Sequence, residues 1–109
     1  MTTTNHPLGD PVDQSLDDQR RYIDRIDGTI VALLAERMRI ALTVGRLKLA
    51  RDQPIRSAPR EAEVLARVRD TAPRPLSPAS AERIFRAIID ETAACQANAA
   101  DREDAGHVR

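Results

Sequence analysis

The chain has 109 residues, 41% hydrophobic and 31% charged, with one Phe, one Tyr, no Trp, four Gly and seven Pro. That length holds one small domain, and so few aromatic and turn residues favour an all-helical domain over a sandwich or barrel. Seventeen basic residues balance seventeen acidic ones, and Lys48 is the only lysine; the chain lacks the basic field of a general nucleic-acid binder.

Residues 1–14 are polar, include Pro7 and Pro11, show no periodicity and read as a flexible N-terminal lead. The first twenty residues have neither the basic nor the apolar region of a secretory signal. No apolar run approaches the roughly 18 residues needed to cross a bilayer. A soluble cytoplasmic protein with no membrane partner is expected.

Ser15 opens a capping-box-like pattern with Asp17 and Asp18 in the first turn, where the helix dipole favours them. Apolar residues then recur at helical spacing through Ile23, Ile26, Ile30, Leu33, Leu34, Ile40, Ala41, Val44 and Leu47. The pattern predicts one very long helix from Leu16 to about Arg51, ended by Asp52-Gln53-Pro54. A second helix is predicted from Ser57 or Ala58 to Thr71, with Ser57 as cap, Pro59 in the first turn and Val64, Leu65 and Val68 as its stripe. After Pro73, Pro75 and Pro78, a third runs from Ser77-Pro78 to about Asn98 with Ile84, Phe85, Ile88 and Ile89 inward. Residues 99–109 read as a flexible tail, so the domain is expected over 15–98.

The first helix would be roughly 52 Å long. A compact domain of this size has a radius of gyration of about 13 Å, so the helix must overhang a single protomer. Its apolar stripe runs almost its whole length, and a second copy of the chain is the simplest cover. An intertwined homodimer is expected.

Polar residues fall on these stripes. The inward series of the first helix reads Arg20, Ile23, Asp27, Ile30, Leu34, Arg37, Ala41, Val44, Lys48. The second contributes Glu61, the third Thr92 and Gln96. Singly, each has an ordinary explanation: Arg20 and Lys48 can snorkel, Lys48 and Glu61 suit the helix dipole, and Asp27 can be an ion-pair partner. Arg37, mid-helix in an apolar stripe, is harder to explain as structural, because an unpaired guanidinium is costly to desolvate. Together they describe a pocket for a small polar dianion, with arginines for bidentate carboxylate binding and a lysine as a point charge. Arg20 and Arg37 are roughly 25 Å apart along one helix, and Arg37 and Lys48 about 16 Å. Arg37 and Lys48 could hold one ligand between long side chains; Arg20 would have to come from the partner subunit.

His6 and His107 lie in opposite tails and Cys95 is the only cysteine, so neither a metal site nor a disulfide is expected. There is no Gly-rich phosphate loop and no nucleophile with an evident base. Such a pocket binds and polarises, which suits a reaction needing no acid, base or covalent intermediate, and no cofactor is expected.

Arg20, Asp27, Leu33-Leu34-Ala35-Glu36-Arg37 and Val44-Gly45-Arg46-Leu47-Lys48 closely resemble the all-helical chorismate mutases. The likeness continues through Pro54-Ile55-Arg56, Arg60-Glu61 and Phe85-Arg86-Ala87-Ile88-Ile89-Asp90-Glu91-Thr92-Ala93-Ala94-Cys95-Gln96, covering about residues 16–98. It implies a three-helix protomer, an intertwined dimer with two sites, and rearrangement of chorismate to prephenate in aromatic amino acid biosynthesis (the shikimate pathway). It also implies roles. Arg37 and the partner subunit's Arg20 would bind the carboxylates, and Lys48 and Gln96 would donate to the ether oxygen. Glu61 would accept from the ring hydroxyl, Arg60 would support the carboxylate side, and Thr92 would contact the pyruvyl carboxylate. Ser57 stands where the family usually has Asp, but the contact implied there comes from the backbone N–H. Thr92 for the more usual Ser keeps the hydroxyl.

Two enzymes on the same scaffold compete: a 4-amino-4-deoxychorismate mutase and an isochorismate pyruvate lyase. The lyase pattern opens the second helix with Glu-Arg, whereas this chain has Arg60-Glu61, which puts the chorismate mutase first. A reading of another class is a non-catalytic helical dimerisation module, with Arg37 and Lys48 paired to Asp27 or Glu61.

Overall fold

The computed structural model describes residues 15–108, with side chains through Arg102. Residues 1–14, read as a flexible lead containing His6, lie outside the described residues, as do the side chains of residues 103–109, His107 among them. Three α-helices follow in order: α1 (Ser15–Ala50), α2 (Ala58–Thr71) and α3 (Pro78–Val108). No strand occurs among the described residues, so the fold is all-α as the composition predicts. No helix among them is long and apolar enough to cross a membrane.

The helix ends follow from local chemistry. Asp17 and Asp18 lie in the first turn of α1 and Lys48 in its last, each on the side the helix dipole favours. α1 ends in a Schellman arrangement: the Gln53 N–H donates to the Lys48 carbonyl at 2.8 Å and the Asp52 N–H to Leu49 at 3.1 Å. Asp52 holds the left-handed position with φ 58°, which Asp tolerates better than most side chains. The Ser57 hydroxyl accepts from the Arg60 N–H at 3.3 Å and caps α2, with Pro59 in its first turn. Ser77 caps α3 in the same way, accepting from the Ser80 N–H at 3.1 Å.

The structure divides into two compact units at Arg37/Met38. The first contains α1 up to Arg37. Here Ile23, Ile26, Ile30, Val31 and Leu33 are all exposed, Ile26 by 58% and Leu33 by 63%. A single helix has nothing of its own on which to fold that stripe. Arg21 pairs with Asp18, and the Arg25 guanidinium lies over the Tyr22 ring.

The second unit contains the rest of α1, α2 and α3. α2 packs on α3, with Val64, Leu65 and Ile89 buried and Phe85 half-buried against them. Ala81 is buried too, so the inward face of α3 follows 81, 85, 88/89, 92 and 96. Ile84, expected inward, is 52% exposed because it falls one position off that face. α3 also continues past its expected end near Asn98 to Val108. The segment is rich in alanine, the best helix former, and Ala99 and Ala100 line a cleft with Leu42, Gly45, Arg46 and Leu49 of α1. Residues 99–108 are therefore helical rather than an irregular tail.

Candidate functional site

Six of the predicted residues lie in the second unit: Lys48, Ser57, Arg60, Glu61, Thr92 and Gln96. The Lys48 ammonium, half-buried, donates to the Ile55 carbonyl at 2.9 Å. Because α1 ends in the tight Asp52 turn, the chain doubles back and presents that carbonyl to a side chain seven residues earlier. Gln96 is buried at 9% exposure. Its amide donates to the Ala41 carbonyl at 2.6 Å. A β-carbon on Gly45 would stand 3.3 Å from the Gln96 Cγ, so the glycine gives this side chain its room. Each nitrogen has donors beyond the one so used, since an ammonium carries three and an amide two.

Glu61, in the first turn of α2, is the centre of an ion cluster. Arg56 Nε donates to its Oε2 at 2.8 Å and Nη2 to its Oε1 at 3.0 Å. Arg86 Nη1 reaches the same Oε1 at 3.3 Å. Arg56 Nη2 also meets Asp90 Oδ1 at 2.8 Å, so the loop before α2 is tied to α3. The Arg56 bond first, then the charges of Arg56 and Arg86, hold the Glu61 carboxyl below its usual range. The same bonds, to Glu61 first and then Asp90, raise the Arg56 guanidinium above its ordinary value.

Arg60, Thr92 and Ser57 are engaged locally, and the other predicted residues lie in the first unit. The Arg60 guanidinium is exposed and bonded to Glu63 at 2.5 Å, one turn along the surface of α2, rather than to Glu61. Thr92 is half-buried and donates to the Ile88 carbonyl at 2.7 Å within α3. Ser57 is occupied as the α2 cap. In the first unit Arg20 and Asp27 are exposed and Arg37 is half-buried. The Lys48–Glu61 pair that the dimerisation-module reading allowed does not form; Lys48 holds a backbone carbonyl and Glu61 holds Arg56 and Arg86.

Neither helical periodicity nor the family resemblance assigns a role to Arg56, Arg86 or Asp90. A signal was present: Arg86 and Asp90 are four apart on α3, an opposite-charge pair beside the inward stripe. Nothing local connected them to Glu61. Among the described residues no group of three or more His, Cys, Asp or Glu is placed to hold a metal ion.

Comparison with known proteins gives one consistent result. The family model described as chorismate mutase type II matches residues 19–97, spanning all three helices. A bifunctional chorismate mutase/prephenate dehydratase from Neisseria gonorrhoeae is 34% identical over 89 residues, or 82% of this chain. The chain spans about a quarter (24%) of that relative's length. The solved structure of a chorismate mutase (form II) from Thermus thermophilus superposes with a TM-score of 0.69 at 28% identity, covering 71% of this chain and 88% of that one.

Proposed function

The chain belongs to the chorismate mutase type II family, and from that membership we propose that it converts chorismate to prephenate through residues 15–98. The observation that carries this reading is the pair of held donors. Lys48 is fixed on the Ile55 carbonyl and Gln96 on the Ala41 carbonyl, each with N–H groups beyond the one engaged.

The rearrangement breaks one C–O bond and forms one C–C bond within a single molecule, with no proton transfer and no leaving group. It needs the flexible enolpyruvyl arm folded over the ring, which clamping both carboxylates supplies. Arg37 and the partner subunit's Arg20 take that role, with the Ser57 backbone N–H, Arg60 and Thr92 supporting the bound substrate. Negative charge grows on the ether oxygen as its bond lengthens. A fixed ammonium from Lys48 and a fixed amide N–H from Gln96 stabilise that charge more than they stabilise the substrate. Glu61 accepts from the ring hydroxyl.

The assembly is a homodimer in which each site is shared. No residue of α1 is buried within the chain, and covering one large apolar side chain stabilises by about 1.5–3 kcal/mol. The stripe from Ile23 to Leu34 gives a second copy ample reason to bind.

The test is direct. The purified chain is incubated with chorismate, and loss of the substrate is followed together with appearance of prephenate. No turnover overturns the reading. Sharing of the site is tested by mixing two inactive variants, Arg20→Ala and Lys48→Ala. Statistical exchange into heterodimers restores one intact site in two and recovers about a quarter of wild-type activity. No recovery after verified exchange overturns the shared site.

A further inference from the structure

The ion cluster around Glu61 bears on which ring substituent the site accepts. Three N–H groups, two from Arg56 and one from Arg86, point at its two carboxylate oxygens at 2.8, 3.0 and 3.3 Å. An ionised carboxylate offers about four lone-pair positions, so these donors leave room for about one more. They also set the charge. One negative group faces two guanidinium groups, and Asp90 offsets only Arg56, while Arg86 has Glu61 as its partner.

A neutral hydroxyl needs one lone pair and no net charge, and it fits what remains. An ammonium at the same place would meet a carboxylate already neutralised and would stand close to two like charges. We propose that Arg56 and Arg86 are specificity-determining residues: by neutralising Glu61 and leaving it one lone pair they make this subsite accept a ring hydroxyl and reject a ring ammonium. The inference rests on the mutase reading above and on Glu61 receiving the ring substituent.

Chorismate and 4-amino-4-deoxychorismate differ in that one group, and wild type, Arg86→Gln, Arg86→Lys and Arg56→Gln are compared on both. Circular dichroism establishes that each variant is folded. Wild type is expected to favour the hydroxyl compound by about 100-fold in kcat/KM, and Arg86→Gln to narrow that ratio about tenfold through KM for the amino compound. Arg86→Lys keeps the charge and keeps the ratio. Because both arginines are about half exposed, the wild-type preference also shrinks as salt is raised. Equal turnover of the two compounds by wild type, or an unchanged ratio in both folded Gln variants, overturns this inference and leaves the mutase reading standing. Turnover of neither compound by wild type overturns the mutase reading and this inference with it.

Discussion

Gly45 of α1 lies so close to Gln96 of α3 that a β-carbon at position 45 would stand 3.3 Å from the Gln96 Cγ and 3.6 Å from its Nε2. The glycine therefore sets the position of a proposed catalytic donor. Two effects oppose each other in Gly45→Ala. Ala is better than Gly in a helix interior by up to about 1 kcal/mol, while the Gln96 Cγ must give by a few tenths of an ångström to admit the new methyl, carrying its amide with it. Tm is expected to stay level or rise while kcat falls by about 3–10-fold, because a small misplacement of a donor is felt in the transition state. Unchanged kcat in this variant would show that the Gln96 position is not critical.

Gln96→Glu separates hydrogen bonding from shape. The neutral amide donates at any ordinary pH, whereas a carboxyl donates only while protonated, with an ordinary pKa of about 4.3. The variant is expected to lose nearly all activity at pH 8 and regain part of it as the pH falls toward 5. A rate–pH profile of kcat checks this, and full activity at pH 8 would remove Gln96 from the chemistry.

Lys48→Arg keeps the charge but replaces a compact ammonium with a planar fork. The guanidinium can still bond the Ile55 carbonyl, yet its remaining N–H groups point elsewhere. Loss of one aligned donor costs about 10²–10³-fold in kcat, and that is the expected loss, with unchanged circular dichroism and unchanged mass in solution. Near-wild-type turnover would leave Lys48 as a tie between α1 and the following loop.

The Glu61 cluster also predicts how stability depends on acid. Arg56 and then Arg86 hold the Glu61 carboxyl below its usual 4.5, and Arg60 holds Glu63 below the same value. A carboxyl whose pKa is lower folded than unfolded adds stability that is fully present above about 4.5 and lost as the pH falls through the depressed value. For these groups Tm is level from pH 7 to about 5 and declines below that. Glu61→Gln removes part of that decline. Thermal melts of both proteins between pH 7 and 3 decide it; an identical decline would show that the Glu61 pairs add nothing.

The helix boundaries were largely legible in the sequence because their signals are local. Ser57 with Pro59 starts α2, Ser77 with Pro78 starts α3, and the absence of proline between Ser15 and Pro54 lets α1 run unbroken. The end of α3 was not legible, since polarity suggested an irregular tail where Ala99 and Ala100 instead face α1. Nor was the exposure of Ile84, one position off the packed face.

By itself the sequence determined an all-α chain with polar groups at Lys48, Glu61 and Gln96 on its inward stripes, because helical periodicity fixes which side chains share a face. Only the tertiary structure decided whom those groups meet. Gln96 reaches a carbonyl 55 residues away, and Arg56 meets Asp90 at a separation of 34. The family resemblance attached Arg60 to the carboxylate side of the site, while the folded chain bonds Arg60 to Glu63 and gives Glu61 to Arg56 and Arg86. Neighbours three apart on a helix pair from spacing alone, but a charge in a loop finds its partner only after α2 has docked on α3.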